Sequence, residues 1–143
     1  MTQPPVVHAT FVIERSYPRT PAQVFAAFAD PVKKERWYGG GEGSDPISYE
    51  LDFREGGQEV SRRRFKEDTP FPGVELAAIN TYDDIVPDRR IVFTQTMTIG
   101  GRRISVSLTT VELLAAGAGT DMICTNQVAF FEGSDGAKMR EDG

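Results

Sequence analysis

The chain has 143 residues, of which 39% are hydrophobic and 26% are charged, and this composition fits one globular domain with its own core. Its 21 acidic and 16 basic residues give a net charge of −5, which argues against a general nucleic-acid binder and against a protein that docks on anionic membranes. The single cysteine, Cys124, excludes an internal disulfide, and the sequence "MTQPPVVHATF" lacks the features of a signal peptide, so we expect a cytoplasmic protein.

The first third of the chain predicts one strand followed by two short helices. Apolar and polar residues alternate from Val6 to Tyr17, which is typical of a strand with one apolar face. The sequence Thr20-Pro21-Ala22-Gln23 then supplies an N-cap, a proline at the first helical position and the glutamine of a capping box. Asp30-Pro31 repeats the cap and proline for a second helix that ends near Trp37, and glycines at 39–43 predict a flexible loop.

From Pro46 onward the pattern predicts strands only. Short turn signals rich in glycine and proline separate the alternating segments, so we expect an antiparallel meander of hairpins. The six predicted strands are residues 47–54, 58–66, 74–83, 90–98, 102–114 and 120–131. With the first strand they make a sheet of about seven strands, and the two short helices cover only one end of it. Residues 133–141 read as a loop followed by the first turn of a further helix.

Five motifs stand in order along almost the whole chain. They are "PAQVFAAFADPVKKERWYG" (21–39), "LDFREGGQ" (51–58), "YDDIVPDRRIVFTQTM" (82–97), "RRISVSLTTVEL" (102–113) and "GTDMICTNQVAFFEG" (119–133). Together they resemble the START-like superfamily, also called SRPBCC, and within it the family related to the activator of heat-shock protein 90 ATPase.

The resemblance implies an α+β helix-grip fold in a single domain, residues 1–143. In that fold a curved antiparallel sheet grips a long C-terminal helix. Here that helix is expected to be truncated, with at most its first turn, residues 137–141, in the chain. An uncovered concave face would expose an apolar patch, so we expect a homodimer formed through that face or by exchange of elements.

Residues that carry most enzyme chemistry are scarce in this chain. The single histidine, His8, lies between the inward-facing Val7 and Ala9, so we expect it to face solvent. Cys124 lies in the middle of a strand and reads as a small buried thiol. One histidine and one cysteine do not form a zinc site, and no glycine-rich stretch has the phosphate-binding pattern. We therefore predict no catalytic residue, no metal and no cofactor.

Polar residues among apolar ones on the inner sheet face indicate a small-molecule site. Gln95, Asn126 and Tyr49 would be polar groups in an apolar hollow, with Trp37 and Tyr38 at its mouth. The alternative, that these residues simply form the core, stays open. The residues predicted to line the cavity are Trp37, Tyr38, Tyr49, Leu51, Phe53, Tyr82, Phe93, Gln95, Met97, Asn126 and Phe130.

Three functions fit this reading of the sequence. The first is a non-enzymatic protein that binds a small apolar molecule. The second is a polyketide cyclase or aromatase, as in neighbouring START-like families, with Arg63, Asn126 and Tyr82 as the residues available for chemistry. The absence of an acid-base cluster speaks against it. The third, implied by the family's name, is a co-chaperone that stimulates the ATPase of heat-shock protein 90 through an exterior surface.

Overall fold

The computed structural model describes residues 6–37 and 43–131, with the backbone alone for 35–37. All seven strands form one antiparallel sheet in the order β1-β7-β6-β5-β4-β3-β2. The elements are β1 (Val6–Tyr17), α1 (Pro21–Ala29), α2 (Pro31–Trp37), β2 (Ser44–Leu51), β3 (Gln58–Phe65), β4 (Glu75–Val86), β5 (Arg90–Ile99), β6 (Arg102–Ala116) and β7 (Gly119–Phe131). This arrangement confirms the predicted α+β class and the position of both helices.

The two short helices begin where their capping residues predict. The Thr20 hydroxyl accepts a hydrogen bond from the Gln23 backbone N–H at 3.2 Å, and the Gln23 side chain accepts one from the Thr20 N–H at 2.9 Å. At the start of α2, the Asp30 carboxylate accepts a hydrogen bond from the Val32 N–H at 2.9 Å. These local bonds fix the helix starts, because each satisfies a backbone donor that has no partner within the helix.

Helix α1 packs on one face of the sheet, which we call the inner face. It contacts β6 and β7, whereas α2 contacts α1 and β2. The buried core lies between α1 and this face. Breaks in register within β2, β4 and β6 are bulges of the kind that bend a sheet. The core residues are Val24, Tyr82, Ile91, Phe93, Val111 and Leu113.

A tight hairpin between β2 and β3 is fastened to β4. The Gly56 N–H donates to the Tyr82 carbonyl at 2.8 Å, and the Tyr82 N–H donates to the Gly57 carbonyl at 3.0 Å. Gly56 has φ +83°, and a Cβ on Gly57 would lie 2.2 Å from the Asp52 carbonyl oxygen. The turn therefore needs both glycines, which explains the Gly-Gly pair in the second motif.

Strand β1 lies at one edge of the sheet, and this position changes the exposure of its apolar residues. Val7 pairs with Phe130 and Ala9 pairs with Val128, so both lie on the inner face as predicted. Val7 is nevertheless 51% exposed, because no strand of the described residues lies on its other side. His8 is exposed, as predicted.

Some predictions fall outside the described residues. They concern Tyr38, the glycine loop except Gly43, and the first turn of a C-terminal helix at 137–141.

Candidate functional site

A carboxylate is fully buried where α2 meets the sheet. The Lys34 ammonium lies 3.2 Å from Oε1 and 3.1 Å from Oε2 of Glu59. The side-chain amide of Asn80 donates to Oε1 at 2.7 Å and the Tyr82 hydroxyl donates to the same oxygen at 3.3 Å. The Tyr49 hydroxyl donates to Oε2. Because the Glu59 carboxylate faces a positive charge and accepts hydrogen bonds at both oxygens, it can stay buried without water.

The two charged members of the cluster come from distant parts of the chain. Glu59 lies on β3 opposite Asn80 of β4, and α2 brings Lys34 over the same point. Burial lowers the pKa of Lys34, and the neighbouring Glu59 opposes that shift. This ion pair anchors α2 to the inner face of the sheet.

A line of polar side chains crosses the inner face at the level of Glu59. Glu59, Asn80, Gln95 and Ser107 lie directly opposite one another on the adjacent strands β3, β4, β5 and β6. All four are buried, and Ser107 is only 3% exposed. We call these four residues the polar row. It makes the inner face more polar than the apolar hollow that the sequence predicts.

Two polar groups near the end of this row carry unused hydrogen-bonding capacity. Among the described residues, neither Oγ of Ser107 nor Oδ1 of Asn126 has a hydrogen-bond partner, although both atoms are buried. Ser107 lies opposite Val128 on β7, so Asn126 is its diagonal neighbour, roughly 7–8 Å away between Cα atoms. An unsatisfied buried group of this kind costs about 1–3 kcal/mol, which a bound molecule could recover.

The inner face also carries the eight predicted lining residues that belong to strands. Directly opposed residues of antiparallel strands share a face, and the register places these eight on one face. They are Tyr49, Leu51, Tyr82, Phe93, Gln95, Met97, Asn126 and Phe130. The ninth described side chain, Phe53, follows β2, whereas the Trp37 side chain and Tyr38 lie outside the described residues. Whether the predicted residues contact a ligand stays a prediction.

Three of the predicted aromatic residues form a continuous series of edge-to-face contacts that begins at Phe25 of helix α1. Ring centroids are 5.5 Å apart for Phe25 and Phe53, 5.0 Å for Phe53 and Tyr82, and 5.7 Å for Tyr82 and Phe93. Edge-on contacts at these distances are favourable for aromatic pairs. These rings pack into the core beneath α1, and the unused polar atoms of Ser107 and Asn126 lie on the neighbouring strands β6 and β7 of the same face.

The residues considered for cyclase chemistry lie apart. Arg63 donates to the hydroxyl and the carbonyl of Ser44, both at 2.7 Å, and so fastens the start of β2. Tyr82 is bonded to Glu59 on β3. Asn126 is on β7, with β5 and β6 between it and Tyr82, which corresponds to roughly 14 Å across the sheet. These three side chains do not converge on one point.

Comparisons with known proteins identify the family and give similar solved structures. A family model described as "Activator of Hsp90 ATPase homolog 1-like protein" matches residues 18–143. The chain belongs to this family. Mll3558 from Rhizobium loti is 48% identical, with 96% of this chain and 90% of that chain covered and a TM-score of 0.83. An uncharacterized protein from Rhizobium leguminosarum is 37% identical, with 96% and 87% covered and a TM-score of 0.86.

A more distant solved structure shares only the fold. CV1439 from Chromobacterium violaceum is 23% identical, with 92% of this chain and 86% of that chain covered and a TM-score of 0.73. No curated protein matches the chain. Membership of the Activator of Hsp90 ATPase homolog 1-like family places the chain in the START-like superfamily, as its motifs and its sheet indicate.

Three further features bear on function: the single cysteine, the groups that could hold a metal ion, and the length of the helices. Cys124 is half-buried and burial raises the pKa of its thiol, which favours the unreactive form. Within 6–37 and 43–131, no group of three or more histidine, cysteine, aspartate or glutamate side chains could hold a metal ion. The helices in the described part of the chain are too short or too polar to cross a bilayer.

Reasoning from the sequence missed Lys34, Glu59 and Ser107. Lys34 lies in "PVKKERW", where a lysine reads as a solvated helix residue. A weak signal exists in β3, where Glu59, Ser61 and Arg63 place polar groups at three of the four inner positions, before Phe65. Three successive polar residues on the inner face are unusual for a strand in the middle of a sheet.

Proposed function

We propose that this protein binds an uncharged small molecule on the inner face of its sheet. The ligand would have an apolar body and two hydrogen-bonding groups, such as hydroxyls or carbonyls. The supporting observation is that Oγ of Ser107 and Oδ1 of Asn126 are buried and have no hydrogen-bond partner in the described part of the chain. A polar atom buried without a partner is rare in proteins, and it marks a place where a ligand or a water molecule gains a hydrogen bond.

The charge pattern favours a neutral ligand. Glu59 is the one charged member of the polar row, and Lys34 neutralises it. A ligand with a net charge would therefore lose its hydration without gaining an opposite charge at this row. Val128 and Phe130 are buried on the same face, on the strand that carries Asn126, and would supply apolar surface for the body of the ligand.

The affinity would come from two sources. Burial of apolar surface contributes about 25 cal/mol per Å² before the cost of association is subtracted. Each hydrogen bond to a group that was unsatisfied before binding adds about 0.5–1.5 kcal/mol. Apolar burial therefore sets the affinity, and the two polar atoms determine which molecules are accepted.

A binding screen with matched probes tests the proposal. The probes are uncharged aromatic and aliphatic diols and diketones, each paired with the hydrocarbon that lacks the oxygens. Thermal shift would identify candidates and calorimetry would measure their dissociation constants. We expect saturable binding of at least one oxygenated probe and weaker binding of its hydrocarbon. The absence of saturable binding across the panel would contradict the proposal.

Ser107→Ala separates a role in binding from a role in stability. Its dissociation constant for an oxygenated probe should rise roughly three- to tenfold, because one hydrogen bond is lost. The unliganded protein should keep its stability, since the hydroxyl has no partner to lose among the described residues. The control is Ser48→Ala, an exposed serine on β2, which should change neither quantity. Equal affinity of Ser107→Ala and the unmodified protein would refute this assignment.

The cyclase and co-chaperone alternatives gain no specific support from the described residues. Arg63, Tyr82 and Asn126 do not meet. The link to heat-shock protein 90 is given by the name of the family model.

A further inference from the structure

The two edges of the sheet differ in how well they are protected against pairing with another strand. Strand β2 contains Pro46, a break in register between Pro46 and Ser48, and the charged residues Asp45 and Glu50. Proline, bulges and charges are the features by which proteins block an exposed edge. Strand β2 is therefore a poor template for a further strand.

Strand β1 has none of these features over most of its length. It pairs with β7 from Val6 to Tyr17 without a break in register. It contains no proline, and its first charged residue is Glu14. Half of the backbone N–H and C=O groups of such an edge strand point away from the sheet and can bond to another strand. This edge is long and regular, and within residues 6–37 and 43–131 no other strand pairs with it.

The apolar side chains of β1 are also exposed on both faces. Val7 and Ile13, on the inner face, are 51% and 45% exposed, and Val12, on the outer face, is 57% exposed. Single exposed apolar residues are ordinary in proteins, but three on one edge strand indicate a surface that contacts another chain.

We propose that β1 pairs with β1 of a second copy of this chain, antiparallel and with a two-fold axis at Thr10. Val7 precedes Thr10 by three residues and Ile13 follows it by three, so each Val7 would lie opposite Ile13 of the second copy. In the same way Ala9 lies opposite Phe11, and His8 lies opposite Val12. The pattern is self-complementary, because the apolar residues of the inner face cover one another.

Charges favour this register over its neighbour. With the axis at Thr10, Glu14 lies opposite Val6 at the end of the paired region, and Arg15 lies beyond it. With the axis at Phe11, Arg15 would lie opposite Val7 and would leave that apolar side chain uncovered. We therefore assign the axis to Thr10. The proposal does not depend on the small-molecule site.

The dimer should be weak and reversible. Nine residues of each chain, 6–14, would pair, and two strands joined along one edge bury less than the roughly 1,200–2,000 Å² of a stable interface. We expect a dissociation constant on the order of tens of micromolar, so the dimer forms at high protein concentration and dissociates on dilution.

Sedimentation velocity from about 5 to 500 µM tests the pairing. The unmodified chain should shift from monomer to dimer over this range. Val7→Lys with Ile13→Lys should remain monomeric, because four lysines would meet in pairs of like charge. Val7→Lys with Ile13→Glu should dimerise again, and more weakly at high salt, because each lysine then faces a glutamate of the second copy.

Leu114→Lys, at a 51% exposed position on β6, is the control and should dimerise as the unmodified chain does. Circular dichroism checks that each variant is folded.

Disulfide trapping tests the register independently. In a Cys124→Ser background, Thr10→Cys should form a covalent dimer on mild oxidation, because opposed Cα atoms lie about 4.5–5.5 Å apart. Phe11→Cys should form little, because in this register it faces Ala9. A monomeric unmodified chain at 500 µM would overturn the proposal, and so would a dimer unaffected by the two lysines. Preferential trapping by Phe11→Cys would overturn the register.

Discussion

Glu59 is the residue on which the attachment of α2 depends. Its carboxylate accepts contacts from Lys34, Asn80, Tyr49 and Tyr82, and none of its surface is exposed. A buried ion pair contributes little net stability, but removal of one partner leaves the other charge buried and unpaired. The pair therefore holds α2 in position on the sheet. If one partner is removed, we expect the free energy of unfolding to fall mainly because the other charge stays buried without a partner.

The first prediction concerns that surviving charge. Glu59→Gln should lower the free energy of unfolding by about 3–5 kcal/mol, because the Lys34 ammonium stays buried without its counter-charge. The double variant Lys34→Met with Glu59→Gln should recover much of this loss, since no charge remains and the amide can still accept hydrogen bonds. Urea unfolding of the three proteins measures both effects. Equal losses in the single and double variants would contradict the explanation.

The second prediction concerns pH. Burial lowers the pKa of Lys34 below its ordinary value of 10.5, so between the lowered pKa and 10.5 the unfolded chain binds more protons than the folded chain. The free energy of unfolding should therefore rise with pH in this window, and below it the lysine should contribute no pH dependence. Lys34→Met removes this contribution. Urea unfolding at intervals up to pH 10.5 should show a steeper rise for the unmodified chain, and parallel curves would contradict it.

At the scale of elements, the Gly56-Gly57 hairpin tests how tightly β2, β3 and β4 are joined. Gly57→Ala would place a methyl group 2.2 Å from the Asp52 carbonyl oxygen, so the turn would have to open. We expect a loss of roughly 2 kcal/mol or more in the free energy of unfolding. Gly43→Ala is the control, because among the described atoms its Cβ would meet the Thr69 methyl at 3.5 Å, an ordinary contact distance. Similar stability of the two variants would contradict this account of the hairpin.

The elements were predictable because their signals are local. The Thr20 and Asp30 caps lie within three residues of the groups that they bond, and the glycine turns lie beside the strands that they join. The predicted strand ends differ by up to three residues, as at the start of β2, where Pro46 is inside the strand at a bulge. A proline at an edge strand does not end it, since its missing N–H can face solvent.

The site was less predictable because it depends on register across the whole sheet. Gln95 and Asn126 could be chosen from alternation within their own strands. The pairing of Lys34 with Glu59, 25 residues away, and the row that aligns Ser107 with Gln95 are set by packing and by strand register. No local pattern carries that information, so the sequence predicted an apolar hollow with a few polar groups.

At the scale of the whole molecule, the sheet presents two different surfaces. The inner face carries the core beneath α1, the polar row and the unused atoms of Ser107 and Asn126. The β1 edge carries the exposed apolar residues through which we propose pairing. The two surfaces adjoin each other, because Val7 and Ile13 of β1 lie opposite Phe130 and Cys124 on the inner face.

The most direct test of the central claim is NMR mapping of a bound probe on the side-chain amides. Asn126 and Gln127 are adjacent on β7 but point to opposite faces, since Asn126 lies opposite Thr109 and Gln127 opposite Leu108. Titration with an oxygenated probe should shift the Asn126 and Gln95 amide signals and leave the Gln127 signal in place. A shift of Gln127 without Asn126, or no saturable shift of either, would contradict a ligand site on the inner face.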